Sequence, residues 1–215
     1  MPYDNNTQTN IMNELTEEEK QMELLIENER LAFLDSKIAS MTPHQHQQAL
    51  KYLEEQVKVA MNLLKRELPK LGLINRPENP PTIKCVICPA AELKMENGRV
   101  PAGVAFENPN YIGILNHLIF APYEVIQGVA IHECLHQLYQ FATDQSKKNL
   151  HVRDYVKYEY PEWTQLEEEW VLRAEERITG NSNLVEAWEL AIEEGGDNWL
   201  HFYYDAKKRL NKTGS

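Results

Sequence analysis

Val129 to Phe141 read VAIHECLHQLYQF, with His132 and His136 four apart and Glu133 directly after the first histidine. On a helix, residues four apart lie on one face, one turn from each other. Two imidazole nitrogens can then reach one tetrahedral Zn²⁺ at about 2.0–2.1 Å. Zinc lowers the pKa of a water towards about 7, and a neighbouring carboxylate can take that proton and pass it to a leaving group. His132-Glu133-Cys134-Leu135-His136 therefore predicts a zinc site built for hydrolysis, with Glu133 as general base. The alternative is an ordinary helix that turns three polar residues inward. Chance alone yields the pattern in roughly a few per cent of such chains. The apolar neighbours Val129, Ala130, Ile131, Leu135, Leu138 and Phe141 predict a buried helix. Buried histidines and a buried glutamate need partners, and a metal supplies them. Cys134 reads as a small core residue.

The flanking sequence predicts the elements that hold this helix. Residues 1–14 are polar and read as a disordered tail. Residues 15–70 predict a helical pair packed on the core. Thr16 and Glu19 form a capping box before a stripe of Leu24, Leu25, Leu31 and Leu34. Thr42, Pro43 and Gln45 open a second helix with Leu50, Leu53, Val57, Ala60 and Leu64 on one face, stopped by Pro69. Residues 71–215 read as one further domain. After the linker GLINRPENPP, the β-branched run TIKCVIC predicts a strand. GRVPAGVAF and YIGILNHLIF predict two more extended segments around the turn ENPN. The helix carrying the histidines starts near Pro122 and runs through Phe141. A polar loop, ATDQSKKNLHVRDY, separates it from PEWTQLEEEWVLRAEERI, which Gly180 ends. NLVEAWELAIEE and NWLHFYYDAKKRL predict two last helices either side of Gly195-Gly196. The order is α+β with helix in the majority.

AIHECLHQL resembles the active-site helix of the zincin zinc metallopeptidases, and the likeness spans roughly residues 100 to 180. The resemblance implies a zincin-like core, a Zn²⁺ cofactor and peptide-bond hydrolysis, by an endopeptidase rather than an exopeptidase. It implies a substrate-aligning edge strand before the helix, for which VAFENPNYIGIL is the candidate. It also implies a third protein ligand. In the gluzincin branch this is the first glutamate of an E-E pair before an apolar residue. Glu168-Glu169-Trp170 has that form, so Glu168 is the expected ligand and Glu169 the reserve. The other glutamates of the helix read as solvated charges, with Glu175 and Glu176 at the surface or paired with Arg173 and Arg177. SprT-like zinc proteases offer a second pattern, a later histidine followed by an aromatic residue. His151 with Tyr155 is similar, without the glycine those proteins often place after the histidine. Tyr155, Tyr158 and Tyr160 are candidates for the oxyanion donor that zincins commonly carry.

Other signals are weaker. Cys85-Val86-Ile87-Cys88 is a C-x-x-C, but in a strand its two thiols face opposite sides, and no second pair completes a Cys₄ site. His44 and His46 read as solvated, and His117 and His201 as packed. Trp163, Trp170, Trp188 and Trp199 read as packing anchors. Glu133 and His136 also form E-x-x-H, which di-iron or di-manganese bundles carry twice; this chain has it once. A non-catalytic interaction protein on a zincin scaffold is the other alternative, and it would not need Glu133.

Composition bounds the rest. The net charge of −11 over 215 residues speaks against nucleic acid or an anionic membrane as a partner and tolerates a basic peptide substrate. No apolar run is long enough for a membrane span, and the first residues do not read as a signal peptide. Three cysteines suit a reducing, cytoplasmic setting.

Overall fold

The computed structural model describes residues 16–71, 73, 82–106, 110–139, 161–181 and 183–213, and the side chains of these except 161–166 and 211–213. The tail 1–14, most of the linker, the turn residues 107–109, Phe141, and the loop with His151, Tyr155, Tyr158 and Tyr160 lie outside the described residues. In chain order the elements are α1 (Glu17–Ser40), α2 (Pro43–Glu67), β1 (Lys84–Cys88), the single turn α3 (Ala90–Leu93), β2 (Gly103–Ala105) and β3 (Tyr111–Leu115). They continue with α4 (Tyr123–Leu138), α5 (Pro161–Thr179), α6 (Leu184–Gly195) and α7 (Trp199–Thr213). This is the mostly helical α+β class that the sequence pattern predicts, with one three-stranded sheet among the described residues.

Both expected capping boxes form. Thr16 Oγ1 accepts the Glu19 N–H while Glu19 accepts the Thr16 N–H, and Thr42 and Gln45 repeat the exchange with Pro43 at the first helical position. Leu53, Val57, Ala60 and Leu64 are the buried face of α2, which packs on α4. The face of α1 differs from its expected stripe. Leu25 is exposed, whereas Leu24, Leu31 and Leu34 turn inward as expected, joined by Glu27 and Ile38. The buried Glu27 accepts the Val100 N–H at 2.5 Å, a polar anchor that no apolar periodicity marks.

The sheet order is β1-β3-β2, with β3 parallel to β1 and antiparallel to β2. The stretch VAFENPNYIGIL thus holds two strands, as the two extended segments around ENPN predict, and not one substrate-aligning edge strand. β2 is one edge and β3 the centre, and Asn110 takes φ 85° directly before β3. The segment Tyr111–Phe120 also breaks earlier than expected. Asn116–Phe120 is a 3₁₀ helix that buries His117, Leu118 and Ile119 in succession, which the alternation of a strand does not allow. His117 Nε2 bonds Asp35 Oδ1 of α1 at 2.7 Å.

α4 is central. α2, α5, α6 and the strands β2 and β3 all pack on it, so nearly every turn is buried. That enclosure is why it reads as apolar all round rather than amphipathic. Gly180 ends α5 at φ 74°, as expected. No helix among the described residues is long and apolar enough to cross a membrane.

One close approach fixes the sheet against α4. A Cβ on Gly103 would stand 2.7 Å from Val129 Cγ1 and 2.8 Å from Glu133 Cγ. Val129 is buried and β-branched and has nowhere to turn. Gly103→Ala is therefore expected to lower unfolding free energy by about 1–3 kcal/mol, read as an earlier midpoint in a urea titration with unchanged slope.

Candidate metal centre

The sequence places His132, Glu133 and His136 on one helix, and α5 brings the carboxylates to them. His132 Nδ1 lies 2.9 Å from Glu175 Oε2, and His136 Nδ1 lies 2.8 Å from Glu167 Oε1. The earlier histidine meets the later glutamate, so α4 and α5 run antiparallel. Val171 and Ala174, both buried, let the two helices close on each other.

These bonds set the tautomers. A carboxylate only accepts, so each Nδ1 carries the proton and donates it, which leaves each Nε2 a bare acceptor. The two Nε2 atoms face each other at 3.2 Å. Two lone pairs at that distance repel unless a proton or a cation lies between them. Glu168 completes the group. Its Oε1 is 3.4 Å from His136 Nε2 and its Oε2 is 3.9 Å from His132 Nε2. One ligand atom from each of His132, His136 and Glu168 lies within 4.8 Å of the others. Two nitrogens held by one tetrahedral zinc at about 2.0–2.1 Å would stand about 3.3 Å apart. The donor set and its spacing therefore fit zinc, with the Glu168 side chain 47% exposed at the open side.

The electrostatics are those of crowded carboxylates. Burial raises the Glu133 carboxyl above its ordinary value; His132 and His136 oppose that, and Glu168 and Glu175 add to it. Burial also raises Glu175, against its hydrogen bond to His132. For His132, burial presses the pKa down, yet the Glu175 bond and the charges of Glu133, Glu175 and Glu168 outweigh it and hold it above the usual imidazole value. Each shift favours the protonated form. A divalent cation at the three ligand atoms would offset the same negative charge without those protons.

Glu133 points elsewhere. It is 8% exposed, no side chain among the described residues hydrogen-bonds it, and it lies against Gly103 of β2. A cleft of about 330 Å³ opens there, between Pro101–Gly103 on one side and Leu172, Leu184 and Val185 on the other, with His132 and Glu133 in its wall.

The expected ligands His132, His136 and Glu168 are thus brought together. Glu169 is not; it turns out to pair with Arg173 at 2.9 Å. His151, the other reserve, lies outside the described residues. Glu175 corrects an expectation. It is 5% exposed and serves His132 rather than the surface, while Arg177 bonds the Lys70 carbonyl. Glu167 likewise holds a histidine rather than solvent. Both lie on the α5 stripe of Glu167, Val171, Ala174 and Glu175, a helical spacing that could have found them. Gln137 was also missed. Its amide donates to the Phe106 and Tyr111 carbonyls at 2.8 and 3.0 Å and so pins the β2–β3 hairpin to α4.

The weaker candidates stay apart from the site. Cys85 packs in the main core and Cys88 in a smaller cluster with Leu93, Val100 and Leu115. Burial pushes the Cys85 thiol up to about 12 and raises Cys88 too, so both are inert thiols. His201 is exposed rather than packed.

Metal analysis is expected to find about one zinc per chain, lost in His136→Ala and Glu168→Ala and kept in His151→Ala. Glu175→Gln is expected to weaken zinc about 10–100-fold in a chelator competition, while Glu169→Gln leaves affinity unchanged. Comparison with protein-family models, with curated proteins and with solved structures gives no match to this chain.

Proposed function

We propose that the chain is a zinc-dependent metallopeptidase of zincin type, with His132, His136 and Glu168 as ligands and Glu133 as general base. The convergence of both Nε2 atoms and the Glu168 carboxylate on one point carries this reading. The buried carboxyl of Glu133 at the cleft wall agrees with it.

Zinc, when bound, supplies Lewis acidity: it polarises a carbonyl and lowers the pKa of water towards about 7. The chain's own residues supply the rest. Glu175 and Glu167 hold the two imidazoles in one tautomer and one orientation. Glu133 takes a proton from the attacking water on its carboxylate and returns it to the departing amine nitrogen. Burial raises its carboxyl above the ordinary value, which favours the protonated form that gives the proton back in the second half of that cycle. β2 lies at the sheet edge beside the cleft, with the backbone groups of its outer side unpaired among the described residues. An extended peptide can add there as a further strand, which brings a backbone carbonyl past Glu133. The three unbridged cysteines suit a reducing compartment such as the cytoplasm.

Glu133→Gln separates chemistry from assembly, since it removes the base and keeps shape and ligands. The variant is expected to bind zinc like the wild type and to cut a quenched-fluorescence peptide mixture about 10²–10⁴-fold more slowly. Equal rates in the two proteins would overturn the assignment of Glu133, and no cleavage by the zinc-loaded wild type would overturn the peptidase reading.

A further inference from the structure

The cleft beside Glu133 has a chemical bias that hydrolysis alone does not require. Its lining includes the aliphatic side chains of Val129, Leu172, Leu184 and Val185. Further lining comes from Glu186 and Glu189 on α6 and from Glu133 and Glu175, and no lysine or arginine lines it among the described residues. The carboxylates differ in what already neutralises them. Glu189 is held by Arg30 of α1 at 2.8 Å. Glu175 is committed to His132. Glu186 is exposed and no described cation pairs with it. Glu133, nine-tenths buried and without a hydrogen-bonding side chain among the described residues, lines the cleft beside the ligand His132.

A lining that combines aliphatic side chains with an unpaired, exposed carboxylate matches a long apolar stem with a charged tip. The volume of about 330 Å³ is at the small end of ligand pockets, which run from about 300 to 1,000 Å³. That suits a side chain rather than a folded surface. We infer that Glu186 is a specificity-determining residue and that the cleft selects peptides carrying lysine or arginine next to the bond presented to Glu133. The inference rests on the peptidase reading for the bond that is cut, but not for the binding itself. A free α-amino group shares the cationic chemistry, yet has no aliphatic stem to fill the cleft.

The test uses the full chain in two states. Labelled peptides of one sequence, with lysine, arginine, norleucine or glutamate at the varied position and with free or acetylated N-termini, are titrated into the chelator-treated protein and followed by anisotropy. Lysine and arginine peptides are expected to bind about tenfold tighter than the norleucine peptide, as a charge-assisted contact would give, whether or not the N-terminus is acetylated. The margin is expected to shrink with added salt. Glu186→Gln is expected to collapse it towards one, and Glu186→Lys to reverse it in favour of the glutamate peptide. Equal binding of all peptides, no binding, a preference that follows the free N-terminus, or a margin that Glu186→Gln leaves intact overturns the inference. The same peptides with the zinc-loaded protein keep the two readings separate. A lysine margin in binding without any cleavage leaves the cation cleft standing and overturns the peptidase; cleavage of all peptides at one rate does the reverse.

Discussion

An imidazole that offers one nitrogen to a metal has a second nitrogen to satisfy, and on a buried helix that second nitrogen cannot turn to water. Here both Nδ1 atoms find carboxylates on α5, Glu175 for His132 and Glu167 for His136. Much of the architecture follows from those two bonds. α5 must run antiparallel to α4 and lie close to it, which Val171 and Ala174 permit. α6 must leave room for Glu175, and Gly128 of α4 provides it: a Cβ there would meet Leu184 Cδ1 at 3.0 Å and Glu175 Oε1 at 3.4 Å. Losing either carboxylate would strand a buried donor, which typically costs about 1–3 kcal/mol, and would free the ring to rotate away from its partner.

The C-terminal half of α4 divides four polar residues between two flanks. His132 and His136, one turn apart, face α5. Glu133 and Gln137, also one turn apart, face the sheet, where Gln137 fixes the ends of the β2–β3 hairpin and Glu133 rests on Gly103. A single helix thus sets the ligand pair and the edge strand in one frame. The spacing of the base to the ligand pair is a helix-internal quantity, insensitive to loops. Gly103 is the residue that allows the strand so close.

Local signals made much of this legible. Capping side chains, the α2 stripe and the Gly180 stop act within one element, and each matches the structure. The motif residues were legible because i, i+4 spacing is itself a distance. What stayed hidden depends on pairing across the chain. Six glutamates share α5, and composition does not say which of them faces α4; the order of their roles emerges only when Val171 and Ala174 are seen to be the contact stripe. Glu27 carries no local signal because its partner, the Val100 N–H, is 73 residues away. The edge and central strands looked alike because β3, covered on both faces, has no alternation to read.

α1 shows how distant contacts reach the site. It buries little apolar surface, with only Leu34 and Glu27 fully covered. Its hold on the body is polar. Glu27 grips the backbone at Val100, just before β2, and Arg30 reaches Glu189 and Glu193 on α6. Lys37 pairs with Asp197 beyond the end of α6. Those attachment points lie on the two sides of the cleft, the segment that feeds the edge strand and the helix that carries Glu186. Arg30 is 11% exposed, so its pairs are shielded and worth more than surface ion pairs. A helix with a small apolar face can therefore set the width of the cleft, because it spans the gap instead of filling it. The same ties leave Glu186 as the lining carboxylate of α6 that α1 does not neutralise.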